Sequence, residues 1–231
     1  KNDIRMSNAD LILLTPMLLG AQCVITLVLQ KGEICPGQRG RLHKVLPAIG
    51  VLWLAVTSIA MPAVLVGVAI FYFYSKVNTG KTKNKGPIWL LYLANGLAVA
   101  FVAMQFKHYQ SIAAYLSWFC FVFLLGASFA NLLLLLARSR LDAFHRVLPI
   151  TGVVSGMLLA ILISVKVFSV DESLLENMMT NVLFGFALMV SGLVIWCWHL
   201  LSKVSARKLQ LVSVLVLLLG ACFSFQPFLQ I

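Results

Sequence analysis

Acidic residues are scarce in this chain. Seven Asp and Glu stand against eighteen Lys and Arg among 231 residues, and charged residues of both signs reach only 11%. A soluble domain carries about 25%. No carboxylate lies in the interior of a long apolar run. That argues against a proton-coupled pump or a cation channel, which place acids inside the membrane. Cysteine is sparse and scattered. Cys23, Cys35, Cys120, Cys197 and Cys222 form no C-x-x-C pair. An iron–sulfur cluster or a structural zinc needs clustered thiolates, so neither is expected in this chain, and no disulfide framework is implied. A phosphate-cradling P-loop, a nucleophile elbow and a metal motif are all missing. Long polar stretches are missing too. The longest clear loop runs over residues 31–44, too short to hide a soluble catalytic domain.

What is there is hydrocarbon. The chain is 61% hydrophobic with a mean hydropathy of +0.98. Such a composition predicts an all-α, polytopic membrane protein, one integral membrane domain over residues 1–231. The net charge of +11 reads as membrane topology and contact with anionic lipid. The basic residues are spread over several loops without an interleaved aromatic stripe, so no nucleic acid is expected as a partner.

The number of crossings turns on Val45–Lys76, which has no charge before Lys76. About 20 residues cross a bilayer, so this run is long for one span and short for two. The other apolar segments are Asp10–Gln30, Pro87–Phe106, Ile112–Ala137, Val147–Val170, Asn177–Leu201 and Leu209–Phe228. Cytoplasmic loops collect Lys and Arg. If the chain reverses near Met61-Pro62, eight spans result, and loops 31–44, 76–86, 138–146 and 202–208 share one face. Only Lys1, Arg5, Lys107 and Lys166 are then left on the other. This predicts eight transmembrane helices with both termini outside and no continuous helix through Met61-Pro62. The two short spans also suggest that residues are absent at that point.

An internal echo supports the same scheme. His43-Lys44-Val45-Leu46-Pro47-x-x-Gly50-Val51 matches His145-Arg146-Val147-Leu148-Pro149-x-x-Gly152-Val153. The match predicts two parallel four-helix halves, about 10–106 and 112–228, with both motifs entering from the cytoplasm. Pro47 and Pro149 are each expected in the first turn of a helix, where a missing N–H costs little. Gly126-x-x-x-Ala130 and Gly152-x-x-x-Gly156 are spaced for close helix packing.

Few residues in this sequence can carry chemistry. A bis-His haem needs two imidazoles at matching depth in two spans. His43, His108, His145 and His199 all fall near span ends, beside lipid headgroups, so no haem is expected. Lys166 is the one charge well inside a span, a functional candidate by default, although snorkelling also accounts for it. Gln105-Phe106-Lys107-His108-Tyr109-Gln110 gathers donors, a cation and an imidazole at the outer boundary. A quinone headgroup needs such partners for its two oxygens, beside an apolar slot. Gln105, Lys107, His108 and Lys166 are therefore the candidate quinol-binding residues. A plain interfacial loop is the competing reading of this patch.

Several short motifs resemble the membrane anchor subunit of the bacterial dimethyl sulfoxide reductase family. They are Gln22-Cys23-Val24, Lys31-Gly32, Leu52-Trp53 and Ser58-Ile59-Ala60-Met61 in the first half. The second half adds Ala130-Asn131-Leu132-Leu133-Leu134, Val147-Leu148-Pro149-Ile150 and Leu217-Leu218-Leu219-Gly220. The resemblance implies eight helices in the bacterial inner membrane with periplasmic termini. It implies menaquinol as substrate and electron transfer to an iron–sulfur subunit. A molybdopterin catalytic subunit would complete the complex, and the anchor itself would carry no haem. Two positions depart from the family. Its helix 2 ends in a histidine and a polar loop, where this chain passes from Met61 directly to Pro62-Ala63-Val64. Its last helix carries a Glu and an Arg, where this chain has Gly220-Ala221-Cys222-Phe223-Ser224-Phe225. A structural anchor without a quinol site, or a small-molecule transporter, are the alternative functions.

Overall fold

The computed structural model describes residues 13–32, 34–77, 86–105, 111–138, 142–170, 172–202 and 206–230. All regular structure among them is helical: α1 Leu14–Lys31, α2 Pro36–His43, α3 Leu46–Val56, α4 Ala63–Lys76, α5 Ile88–Gln105, α6 Ile112–Leu136, α7 Asp142–Val167, α8 Glu172–Ser202 and α9 Lys208–Gln230. Six of these, α1 and α5–α9, are long and apolar enough to cross a membrane. The protein is a polytopic helical membrane protein. Apolar side chains facing lipid cost nothing, and hydrogen bonds within each helix satisfy the backbone.

Val45–Lys76 is not one helix. It is the hairpin α3–α4, closed by a turn at residues 57–62. The local chemistry explains the break. Thr57 Oγ1 donates to Leu54 O at 2.6 Å and Ser58 Oγ to Ala55 O at 2.8 Å. The backbone N–H groups of Thr57, Ser58 and Ile59 tighten to carbonyls three residues back. Such side-chain bonds offer the backbone an alternative to the helix. Pro62 then cannot donate, and α4 starts after it. The chain passes through Met61-Pro62 within this turn, with Ala63 N–H donating to Ala60 O at 3.1 Å. The two arms are antiparallel: Gly50 of α3 lies under Phe71, and Gly67 of α4 lies against Leu54. At 1.5 Å per residue, α3 is about 17 Å long and α4 about 21 Å, both short of the roughly 30 Å of hydrocarbon.

Helix packing follows two closed cycles of neighbours. In one, α1 meets α3, α3 meets α4, α4 meets α5, and α5 returns to α1; in the other, α6, α7, α8 and α9 do the same. The tightest junction between the cycles is α1 on α6, at two glycines. A Cβ on Gly126 would stand 2.5 Å from the Gly20 Cα, and one on Gly20 would stand 2.7 Å from the Gly126 Cα. Gly152 and Gly156 of α7 make room for Trp196 and Leu193 of α8. Small residues here admit a neighbouring backbone or ring, as their spacing predicts.

Contacts between connecting segments fix which ends lie together. Arg41 of α2 donates through Nη2 to Arg138 O at 3.2 Å, joining the segments after α1 and after α6. The His43 ring meets Phe73 edge-on, 5.6 Å between centroids, which brings in the end of α4. Residues 34–44, 73–77 and 137–138 thus sit at one end of the bundle. Trp89, 61% exposed, lies there in the first turn of α5.

One local expectation is corrected. Pro47 does occupy the first turn of α3, but Pro149 lies inside α7, which already begins at Asp142. The equivalent stretch of the first half is interrupted at residues 44–45 and splits off as α2. Pro149 removes one helical N–H bond from α7.

Candidate functional site

Sequence reasoning named four residues. Gln105 is the last residue of α5 and is half-buried. Lys166 lies in the last turn of α7. Both helices run away from the end that holds Arg41 and Arg138, so Gln105 and Lys166 share the opposite end. They are not packed together. The α5 helix rests on α1 and α4, and α7 rests on α6 and α8. Lys107 and His108 lie outside the described residues.

Lys166 is only 6% exposed. Its Nζ lies 5.5 Å from the centroid of the Phe228 ring, a cation–π distance to α9, and has no hydrogen-bond partner among the described residues. The Phe228 ring covers the ammonium from α9. A buried ammonium carries three donors. One without an acceptor is costly in an apolar setting and gains from any oxygen brought to it.

A second polar centre was missed as a site. Gln22, in the middle of α1, is fully buried, and its Oε1 accepts from Trp53 Nε1 of α3 at 2.9 Å. One turn on, Thr26 Oγ1 donates to Gln22 O at 2.8 Å and accepts from Asn95 Nδ2 of α5 at 3.1 Å. Gln22, Trp53, Thr26 and Asn95 therefore tie three helices of the first cycle together at mid-depth. Gln22 Nε2 and Asn95 Oδ1 have no hydrogen-bond partner among the described residues. The signal was legible in the sequence: Gln22 and Asn95 are amides in the centre of apolar runs, and amides in spans find partners on other helices.

The histidines differ in setting. His43 is 1% exposed, packed on Phe73 inside the bundle rather than beside headgroups. Burial first, and the Arg39 guanidinium second, push its pKa down to about 4. His145 Nδ1 lies 2.9 Å from Asn131 Oδ1 of α6. His108 and the His199 side chain lie outside the described residues. Among the described residues no three His, Cys, Asp or Glu gather as a metal would need.

Comparison with known families gives a match over residues 7–227 to a family described as an integral membrane domain. The chain belongs to this integral membrane domain family. A relative of this membrane domain is an "Uncharacterized protein" of Haemophilus influenzae (strain ATCC 51907 / DSM 11121 / KW20 / Rd). It is 29% identical over 154 residues, which cover 59% of this chain and 55% of that protein. The membrane domain thus spans about half the length of that relative. No solved structure matches it.

Proposed function

We propose that this membrane domain is the anchor subunit of a molybdopterin oxidoreductase complex. It oxidises menaquinol and passes the electrons to an iron–sulfur partner subunit, and the molybdopterin catalytic subunit lies beyond that partner. The observation that carries the reading is the buried Lys166 ammonium under Phe228, which has no hydrogen-bond partner among the described residues. It sits at the end opposite the Arg41–Arg138 contact, and a quinol oxygen is the kind of acceptor it lacks. Gln105 shares that end, and Lys107 and His108 follow it directly in sequence.

In this reading the chain crosses the bacterial inner membrane eight times. The basic loops face the cytoplasm and both termini face the periplasm. The two packing cycles are parallel repeat halves. Support comes from the shared end of residues 34–44, 73–77 and 138, and from the bond between Gln22 and Trp53. A structural anchor without quinol chemistry is the second reading. It is favoured by the turn at residues 57–62 and by Gly220–Phe225 of α9, neither of which carries an ionisable residue other than Cys222.

The test is purification of the chain with its complex, followed by menaquinol-dependent reduction of the iron–sulfur partner. Lys166→Leu is expected to keep the partner bound and to slow that reduction at least about tenfold, the value of one charge-assisted hydrogen bond. An unchanged rate supports the structural anchor and removes Lys166 from the site. Purification without any iron–sulfur protein overturns the anchor assignment and leaves the transporter.

A further inference from the structure

A groove of about 350 Å³ runs beside the α1–α6 junction, walled by α1, α5, α6 and α7. Leu27, Val99, Phe123, Phe144 and Val147 line it, with Gly20 at its base. The hydroxyl in the lining, that of Thr151, already donates to Val147 O at 3.0 Å. The walls therefore offer almost nothing to a polar group. An occupant must be hydrocarbon inside the groove and keep its polar part outside. Its size is that of a small-ligand site, too narrow for a further helix about 10 Å across.

One end of the groove is basic. Phe144 lies two residues into α7, just after the segment that begins at Arg138. Lys31 follows Leu27 by one helical turn, on the same face of α1. Arg41 is held to the backbone of Arg138 by its guanidinium, and Lys31, Arg41 and Arg138 are all exposed. Three cations are thus gathered at the level where a chain leaving the groove reaches the headgroups. The bond to Arg138 O fixes the Arg41 guanidinium at this end, beside the backbone of a second exposed arginine.

We propose that this groove is a specific site for an anionic phospholipid, with one acyl chain between α1 and α7 and the phosphate on the rim formed by Lys31, Arg41 and Arg138. The chain supplies the packing that the open seam lacks. The rim supplies charge-assisted hydrogen bonds that a zwitterionic headgroup satisfies less well. The site is independent of the quinol reading, since it lies at the opposite end from Lys166.

The test is native mass spectrometry of the full chain, released from detergent with dioleoyl phosphatidylglycerol or dioleoyl phosphatidylcholine. One phosphatidylglycerol should be retained at about tenfold lower lipid concentration than phosphatidylcholine. The double variant Arg41→Gln/Arg138→Gln should bring the two lipids to parity. Val147→Trp, at a position 54% exposed on the groove wall, should reduce retention of both. A control pair outside the groove lining, Arg207→Gln/Lys208→Gln, should leave the preference intact. Equal retention of the two lipids by the unaltered chain overturns the proposal. So does a preference that survives loss of both arginines, or one abolished equally by the control pair. If Val147→Trp fails to fold, the exposed arginine pair still decides the outcome.

Discussion

Gly126→Ala is the sharpest test of the packing. The added Cβ would stand 2.5 Å from Gly20 Cα, 2.8 Å from Gly20 C and 3.1 Å from Ala21 N. All three are backbone atoms of α1, so no flexible side chain can yield. Carbon atoms rest at about 3.5–4.0 Å, so α1 and α6 must part by roughly 1 Å. That forfeits contacts along their whole crossing. Overpacking of a close-packed interior costs about 1–3 kcal/mol, and a backbone-to-backbone clash belongs at the upper end. A loss of about 2 kcal/mol lowers the folded-to-unfolded ratio about thirtyfold. Gly96, in the interior of α5, is the control. A Cβ there meets nothing within 4 Å, so Gly96→Ala should gain about 0.5–1 kcal/mol of helix propensity. The assay is reversible unfolding in mixed micelles titrated with sodium dodecyl sulfate, followed by tryptophan fluorescence. Equal effects of the two alanines, or a stabilising Gly126→Ala, would refute the α1–α6 contact as described.

Other consequences can be measured in the same way. Trp53→Phe strands the Gln22 Oε1 acceptor and should cost about 0.6–1.7 kcal/mol in the membrane; adding Gln22→Leu should recover part of that loss, and strict additivity would dismiss the bond. The His43 pKa is held down to about 4, below its usual 6.5. Between those values the unfolded chain binds more protons, so the contribution of neutral His43 is complete above pH 6.5 and lost as pH falls through about 4. His43→Phe, which keeps a ring against Phe73, should flatten stability across that window, and an unchanged acid profile would contradict the buried setting. Cysteines replacing Gln38, Thr82, Asp142 and Ser205, in a Cys35→Ser background, should all react with an impermeant maleimide from the cytoplasmic side. A label on residue 82 from the side opposite residue 38 would dismiss the hairpin topology.

The amino-acid sequence by itself determined the class of the protein and the ends of most helices. An uninterrupted apolar run has one solution in hydrocarbon, because only a helix satisfies its backbone there. The break near Pro62 was legible as well, since a run too long for one span that reverses there puts the basic loops on one face. Pro149 shows the limit of that local logic: the same ring sits inside α7, which begins at Asp142, while the matching Pro47 opens α3. Only the tertiary structure decided partners. Gln22 and Asn95 were visible as isolated amides, yet their bonds to Trp53 and Thr26 join residues 31 and 69 positions apart. Lys166 was visible as the one charge well inside a span, but its neighbour, the Phe228 ring on α9, was not. Gly20 carried no motif at all. Its meaning lies in the approach of Gly126, a contact between two apolar helices that no periodicity within either one encodes, because in lipid it is shape rather than hydrophobicity that selects the neighbour.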